Sequence, residues 1–167
     1  ELPDTFLTAS ERRYLESLQK RIPTPVHYRT KEGHKTFSPA QSWERVNNME
    51  YPQLYTVFPW GVHHIDAPEL DIARNTWYYG ADVPAQKGYK SWEQSAVFCA
   101  RLGLRQEAAD FTIKKMKDSG RRFPTWWGPG HDWVPDHNWG GCGMIGLQEM
   151  VMQCYGDKIY IGAGLPD

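Results

Sequence analysis

Residues 91–119 read SWEQSAVFCARLGLRQEAADFTIKKMKDS, and this stretch decides the fold class. From Ser91 to Leu102, the positions Ala96, Cys99 and Ala100 fall on one face of a helix, and Gly103 closes it. After a joint of only two residues a second helical pattern runs from Arg105 to Ser119. Ala109, Thr112, Ile113 and Met116 are its apolar stripe, and Asp110 stands one turn before Lys114, the spacing of a helical ion pair. So short a joint makes the two helices antiparallel neighbours.

Downstream, residues Cys142 to Cys154 form a last helix with Met144, Ile145, Leu147, Met150, Val151 and Met152 distributed around it. A helix with no polar face is expected to be an inner helix, buried on several sides. Gly140, Gly141, Gly143 and Gly146 near its start weaken it but let another backbone or a ligand come close. Lys158 to Ile161 reads as a short strand before a loose tail.

Upstream, Asp66 is expected to cap a helix with Pro68 in its first turn, Glu69 at the capping-box position, Leu70, Ala73 and Trp77 on one face and Gly80 at its end. The apolar, Pro-bounded segment Tyr51 to Trp60 is a short helix or an extended buried piece, and its period does not choose between them. Val26 to Arg29 and Thr36 to Phe37 flank the turn Lys31-Glu32-Gly33-His34, which predicts a small hairpin. Ala9 to Arg21 is a first helix, with Thr8 and Glu11 as a capping box, Leu15, Leu18 and Ile22 as its stripe and Pro23 as its stop. The fold class is therefore mainly α, built from antiparallel helix pairs, with a small β-hairpin near the N-terminus. At 167 residues one domain, 1–167, is the expectation.

The formal charge of −1, from 19 Lys and Arg against 20 Asp and Glu without a block of like charge, argues against nucleic acid as partner. No apolar run approaches the ~20 residues that span a bilayer, so membrane insertion is not expected. Eight Trp and nine Tyr stand out in a chain that is otherwise polar. Such rings offer a flat apolar face with a polar edge, on which the C–H face of a sugar can stack, although most large aromatics simply fill cores. Cys99, Cys142 and Cys154 have no metal-type spacing.

The aromatics cluster in residues 121–141, RRFPTWWGPGHDWVPDHNWGG, which hold four Trp, two His and two Asp. A loop so rich in aromatic and ionisable groups, tied down by proline and leading into a helix, is usually functional. Its tryptophans Trp126, Trp127, Trp133 and Trp139 are the candidate sugar platform. Asp136 stands where the following helix start and its glycine amides favour a carboxylate, which suits a general base or an electrostatic partner; equally, Asp136 or Asn138 caps that helix. His131 and His137 orient that carboxylate, bind sugar hydroxyls or stay on the surface. Trp92 and Glu93, at the start of the 91–102 helix, point to the same end of the bundle, with Glu93 as a second candidate carboxylate. His63-His64 with Asp66 suggests a metal site, but adjacent side chains diverge and Asp66 has a capping role, so no metal and no other cofactor is expected.

The segment Asp136-His137-Asn138-Trp139-Gly140-Gly141 with Ile145 to Gln153 resembles the Asp-Gly-Asn-Phe-Gly-Gly motif and succeeding helix of glycoside hydrolase family 95 and its relatives in gut-type Bacteroidetes. Leu54-Tyr55-Thr56-Val57-Phe58-Pro59 is similar to that family's Leu-Tyr-Gly-Leu-Tyr-Pro, Pro68-Glu69-Leu70 opens a helix as it does there, and Trp92 through Ala100-Arg101-Leu102-Gly103 matches its Ala-Arg-Leu-Gly ending. The resemblance covers about residues 50–161. It implies an (α/α)6 toroid of which this chain is the carboxy-terminal half, metal-free hydrolysis with inversion, a periplasmic or extracellular location, and Asp136 as the residue that activates water. In an inverting enzyme the base and acid stand roughly 6.5–9.5 Å apart. The family's general acid would lie upstream of Glu1, so the missing N-terminal half, or a second copy of the chain, is an expected partner beside carbohydrate. That family acts on α-L-fucosides or α-L-galactosides, but His137 in place of the motif glycine and Glu50-Tyr51-Pro52-Gln53 in place of a His-rich stretch mean that its fucose preference is not carried over. The tail 162–167 also departs from the apolar β-segment of relatives.

Two other readings compete. Polysaccharide lyases also use helical toroids and pair His with Tyr, but need cations for the uronate, and Arg121-Arg122 is the nearby cluster. A non-catalytic carbohydrate-binding fragment would keep the aromatic platform without the acid.

Overall fold

The computed structural model describes residues 4–22, 26–45, 49–117 and 137–167. Within them lie five α-helices and two antiparallel hairpins.

Local signals set the first half. α1 (Ala9–Gln19) starts where the sequence predicts, with Thr8 Oγ1 accepting from the Glu11 amide and the Glu11 carboxylate accepting from the Thr8 amide at 2.8 Å. It ends earlier than Arg21, in a tightened turn in which the Arg21 amide reaches the Leu18 carbonyl. None of its residues is buried, so the stripe of Leu15, Leu18 and Ile22 is exposed. β1 (His27–Lys31) and β2 (His34–Ser38) pair with Lys31 opposite His34, across Glu32 and Gly33, both at positive φ (51° and 80°). That is the two-residue turn whose twist matches a hairpin.

The hairpin packs on α2 (Leu70–Tyr79), where the Phe37 amide donates to Thr76 Oγ1 at 2.8 Å. Segment 51–62 resolves as a single 3-10 turn, Pro52–Leu54, and further turns, with Tyr51, Leu54 and Val57 in the core. On α2, Ala73 and Trp77 are buried and Gly80 is the C-cap as predicted. The N-cap is not Asp66 but Glu69, in left-handed conformation (φ 63°). Asp66 is occupied elsewhere, by Tyr160 and Lys158 of a distant strand.

α3 (Ser95–Arg101) begins four residues later than Ser91. Ser91 sits at φ 45°, and the Lys90 carbonyl accepts from the Glu93 amide at 3.0 Å, so the chain closes a turn before it enters the helix. All residues from Ser95 to Ala100 are buried, and α3 is therefore the inner helix. Gly103 (φ 68°) turns the chain into α4 (Arg105–Met116), which packs back on α3. The buried positions of α4 are Ala108, Ala109, Thr112 and Lys115, whereas Ile113 and Met116 are exposed. The stripe is rotated because α5 and the Lys115 side chain fill the groove. Asp110 accepts from Gln106 at 2.9 Å, while the Lys114 ammonium lies over the rings of Phe111 and Tyr89.

α5 (His137–Val151) was expected to be buried on several sides, and it is not. It turns Trp139, Gly140, Gly143, Gly146, Glu149 and Met150 inward, and leaves Met144, Leu147 and Val151 exposed. A Cβ on Gly146 would stand 2.7 Å from that of Ala96, so the glycine is what lets α5 lie against α3. The helix also stops before Cys154. Met152–Tyr155 form a strand, β3, paired with β4 (Lys158–Ile161), giving a second hairpin. Buried Gln153 anchors the switch by donating to the Glu149 and Ala100 carbonyls.

Candidate functional site

The candidate residues that the structure describes meet at the start of α5. Trp139 is buried, and its indole N–H donates to the Lys115 carbonyl at 2.9 Å. One side of its ring faces the Lys115 ammonium at 5.0 Å, and the ring edge of Tyr89 approaches at 5.8 Å. Lys115 is itself buried and donates to the Ser91 carbonyl at 3.0 Å. This knot fixes the first turn of α5 to α4 and to the 88–93 turn. Trp139 is thus a wall rather than an open platform, and of the described rings Trp92, Tyr89 and Trp139 the outermost is Tyr89.

Trp92 and Glu93 belong to the turn before α3, not to the helix. Trp92 is half-buried, and its carbonyl accepts from Cys142 Sγ on α5 at 3.3 Å. The Glu93 carboxylate is 7% exposed and accepts from the Lys90 amide at 2.6 Å. It lies against Gly88, where a Cβ would come within 2.0 Å of Glu93 Oε2. A cavity of about 250 Å³ opens there, lined by Glu93, Tyr89, Lys90, Gly88, Ala85 and Met49. His137 and Asn138 are exposed on the first turn of α5. Asp136, Trp126, Trp127, His131 and Trp133 lie outside the described residues.

The structure thus brings Trp92, Glu93 and Trp139 to one end of the α3–α4–α5 layer, with His137 and Asn138 beside them. Tyr89, Lys115 and Gly88 join them unannounced by the sequence. Tyr89 carried one signal, an aromatic three residues before Trp92; Lys115 carried none, because a lysine on a helix is ordinarily a solvated residue.

The two histidines part as expected. His63 is buried on Phe37, with Nε2 3.6 Å from the Glu69 carboxylate, and His64 stacks on Tyr155 at 3.8 Å. Burial lowers the pKa of both. Among the described residues no group of three or more His, Cys, Asp or Glu could hold a metal ion. None of the three cysteines forms a disulfide, and burial pushes the pKa of the Cys99 thiol well up, away from the reactive thiolate. No helix among the described residues is long and apolar enough to cross a membrane.

Neither a protein-family model nor a curated protein matches the chain.

Proposed function

We propose that the chain is the carboxy-terminal part of an inverting, metal-independent glycoside hydrolase of the helical-toroid type, acting on plant- or host-derived oligo- or polysaccharide in a periplasmic or extracellular setting. Asp136 is the base or electrostatic stabiliser. The observation that carries the reading is that Tyr89, Trp92 and Trp139 meet at the start of α5, beside the mouth of a cavity lined by Tyr89 and the buried carboxylate of Glu93.

The chemistry follows from those parts. The start of a helix favours a carboxylate in the ionised form, which a group that takes a proton from water requires. Aromatic rings exclude water and present flat apolar faces, suited to a neutral sugar ring. The buried Lys115 bridge to Ser91 and Trp139 keeps the mouth rigid. The exposed apolar side chains of α5, Met144, Leu147 and Val151, accord with a further helical layer that completes the toroid and supplies the acid.

The test is Asp136→Asn in the full-length protein, assayed for reducing-end release from a panel of neutral oligosaccharides. The variant should keep its circular dichroism spectrum and lose at least ~100-fold in turnover, the scale of general-base loss. Activity within a few-fold of the parent would remove Asp136 from the mechanism.

A further inference from the structure

A second cavity lies at the opposite end of α5, about 20 Å along the helix axis from Trp139. It is a cleft of about 570 Å³ between the 59–66 turn and the β3–β4 hairpin, within the ~300–1,000 Å³ of small-molecule sites. Strand alternation puts Tyr155, Lys158 and Tyr160 on the hairpin face that lines it, while Met152, Ile159 and Ile161 on the other face are exposed.

The walls are aromatic and the rims are polar. Trp60, 56% exposed at the mouth, is propped by the edge of Tyr55 at 6.2 Å. His64 and Tyr155 stack at 3.8 Å, with Tyr160 6.0 Å from Tyr155. Asp66 Oδ2 accepts from the Tyr160 hydroxyl at 2.8 Å and from Lys158 Nζ at 3.2 Å. These bonds hold the Asp66 carboxyl below its usual range, as an anion whose other oxygen remains to accept. Deeper, Arg101 pairs with Glu149 at 2.7 Å and donates to the Val57 carbonyl, and its Nε is buried with no partner.

Each cation in the cleft thus already faces a carboxylate, Lys158 with Asp66 and Arg101 with Glu149, and His64 is shifted toward its neutral form. Asp157 adds a further carboxylate to the lining, so the cleft has no surplus positive charge and gives an anion no net attraction. A hydroxyl pair fits it instead, one O–H donating to Asp66 and its neighbour accepting from Lys158, while an apolar ring face rests on Trp60.

We propose that this cleft is a carbohydrate-binding site for a neutral mono- or disaccharide unit, separate from the mouth at the start of α5. It stands on the chemistry of the cleft alone and does not need the catalytic reading. If both hold, the two sites grip one polymeric chain at two points.

The test is saturation-transfer NMR on the full chain with neutral gluco-, galacto-, xylo-, manno- and fuco-oligosaccharides, and galacturonate oligomers as the charged comparison. At least one neutral oligosaccharide should bind, at least tenfold more weakly to Trp60→Ala and more weakly also to Tyr160→Phe. Trp60 is half-exposed, and the milder Tyr160→Phe keeps the test valid if the tryptophan variant folds poorly. No neutral ligand in the panel, a preference for the uronates, or binding indifferent to both cleft variants would overturn the proposal. Loss on Asp136→Asn with both cleft variants unaffected would place the sugar at α5 instead and overturn it as well.

Discussion

At the scale of single residues, side chains in this protein do two kinds of work. Thr8 and Glu11 act within one turn, and so were readable from their spacing; Glu32 and Gly33 likewise fix their hairpin by local conformation. Asp66 and Lys115 act across the fold, and the sequence misdirects at both: Asp66 has the look of a cap but binds Tyr160, and Lys115 has the look of a surface residue but closes the knot around Trp139. Gly88 belongs to the second group, because Glu93 takes the space of its missing side chain. Gly88→Ala should therefore displace the Glu93 carboxylate and cost the fold its hydrogen bond from the Lys90 amide, about 1–3 kcal/mol. An unchanged melting temperature would show that Glu93 moves freely. His63 gives a pH prediction. Its folded pKa lies below the ordinary 6.5 because burial disfavours its charged form, so the unfolded chain binds the proton more readily. Its contribution to stability is complete above 6.5 and declines as the pH falls below that value toward the folded pKa. Urea midpoints should drop between about pH 7.5 and pH 5, with a shallower slope in His63→Gln; equal slopes would assign the effect to other groups.

At the scale of elements, the existence of α2, α4, the first hairpin and β4 was legible, whereas their phase was not. Periodicity marks an amphipathic stretch but does not say which neighbour it meets, and on α4 the buried face turned toward Lys115 once α5 occupied the groove. The exchange of roles between α3 and α5 has the same origin. Hydropathy points to α5 as the inner helix, but its glycines, not its methionines, make the close contact. Two substitutions separate these effects. Gly146→Ala puts a Cβ 2.7 Å from Ala96 and should lower the melting temperature, whereas Gly141→Ala meets nothing within 4 Å and should stabilise by up to about 1 kcal/mol through helix propensity. Similar responses at both positions would contradict the packing of α5 on α3. The strand β3 escaped notice because Met152 and Cys154 continue the apolar run of the helix, and only pairing with β4 distinguishes a strand there.

At the scale of the whole molecule, the described residues keep a continuous core from Phe37 to Met150, yet leave an apolar surface on α5 and on the outer face of the second hairpin. The folded chain should enhance the fluorescence of an apolar dye such as ANS, and Ile159→Lys with Ile161→Lys should reduce that signal substantially while the melting temperature changes little. A folded chain that binds no dye would mean that this surface is covered. The candidate site was legible in part. Sequence placed Trp92, Glu93 and Trp139 at a common end, because a loop that joins two packed helices must return to one, but it did not show that Trp139 is a wall and Tyr89 the outer ring. The proposed inverting hydrolysis of a glycosidic bond is read from the anomer first released by the full-length protein. Proton NMR during the first minutes of turnover should show the new reducing end in the configuration opposite to that of the cleaved bond, with no unsaturated uronate in the ultraviolet. Retained configuration, or an unsaturated product, would rule out inverting hydrolysis.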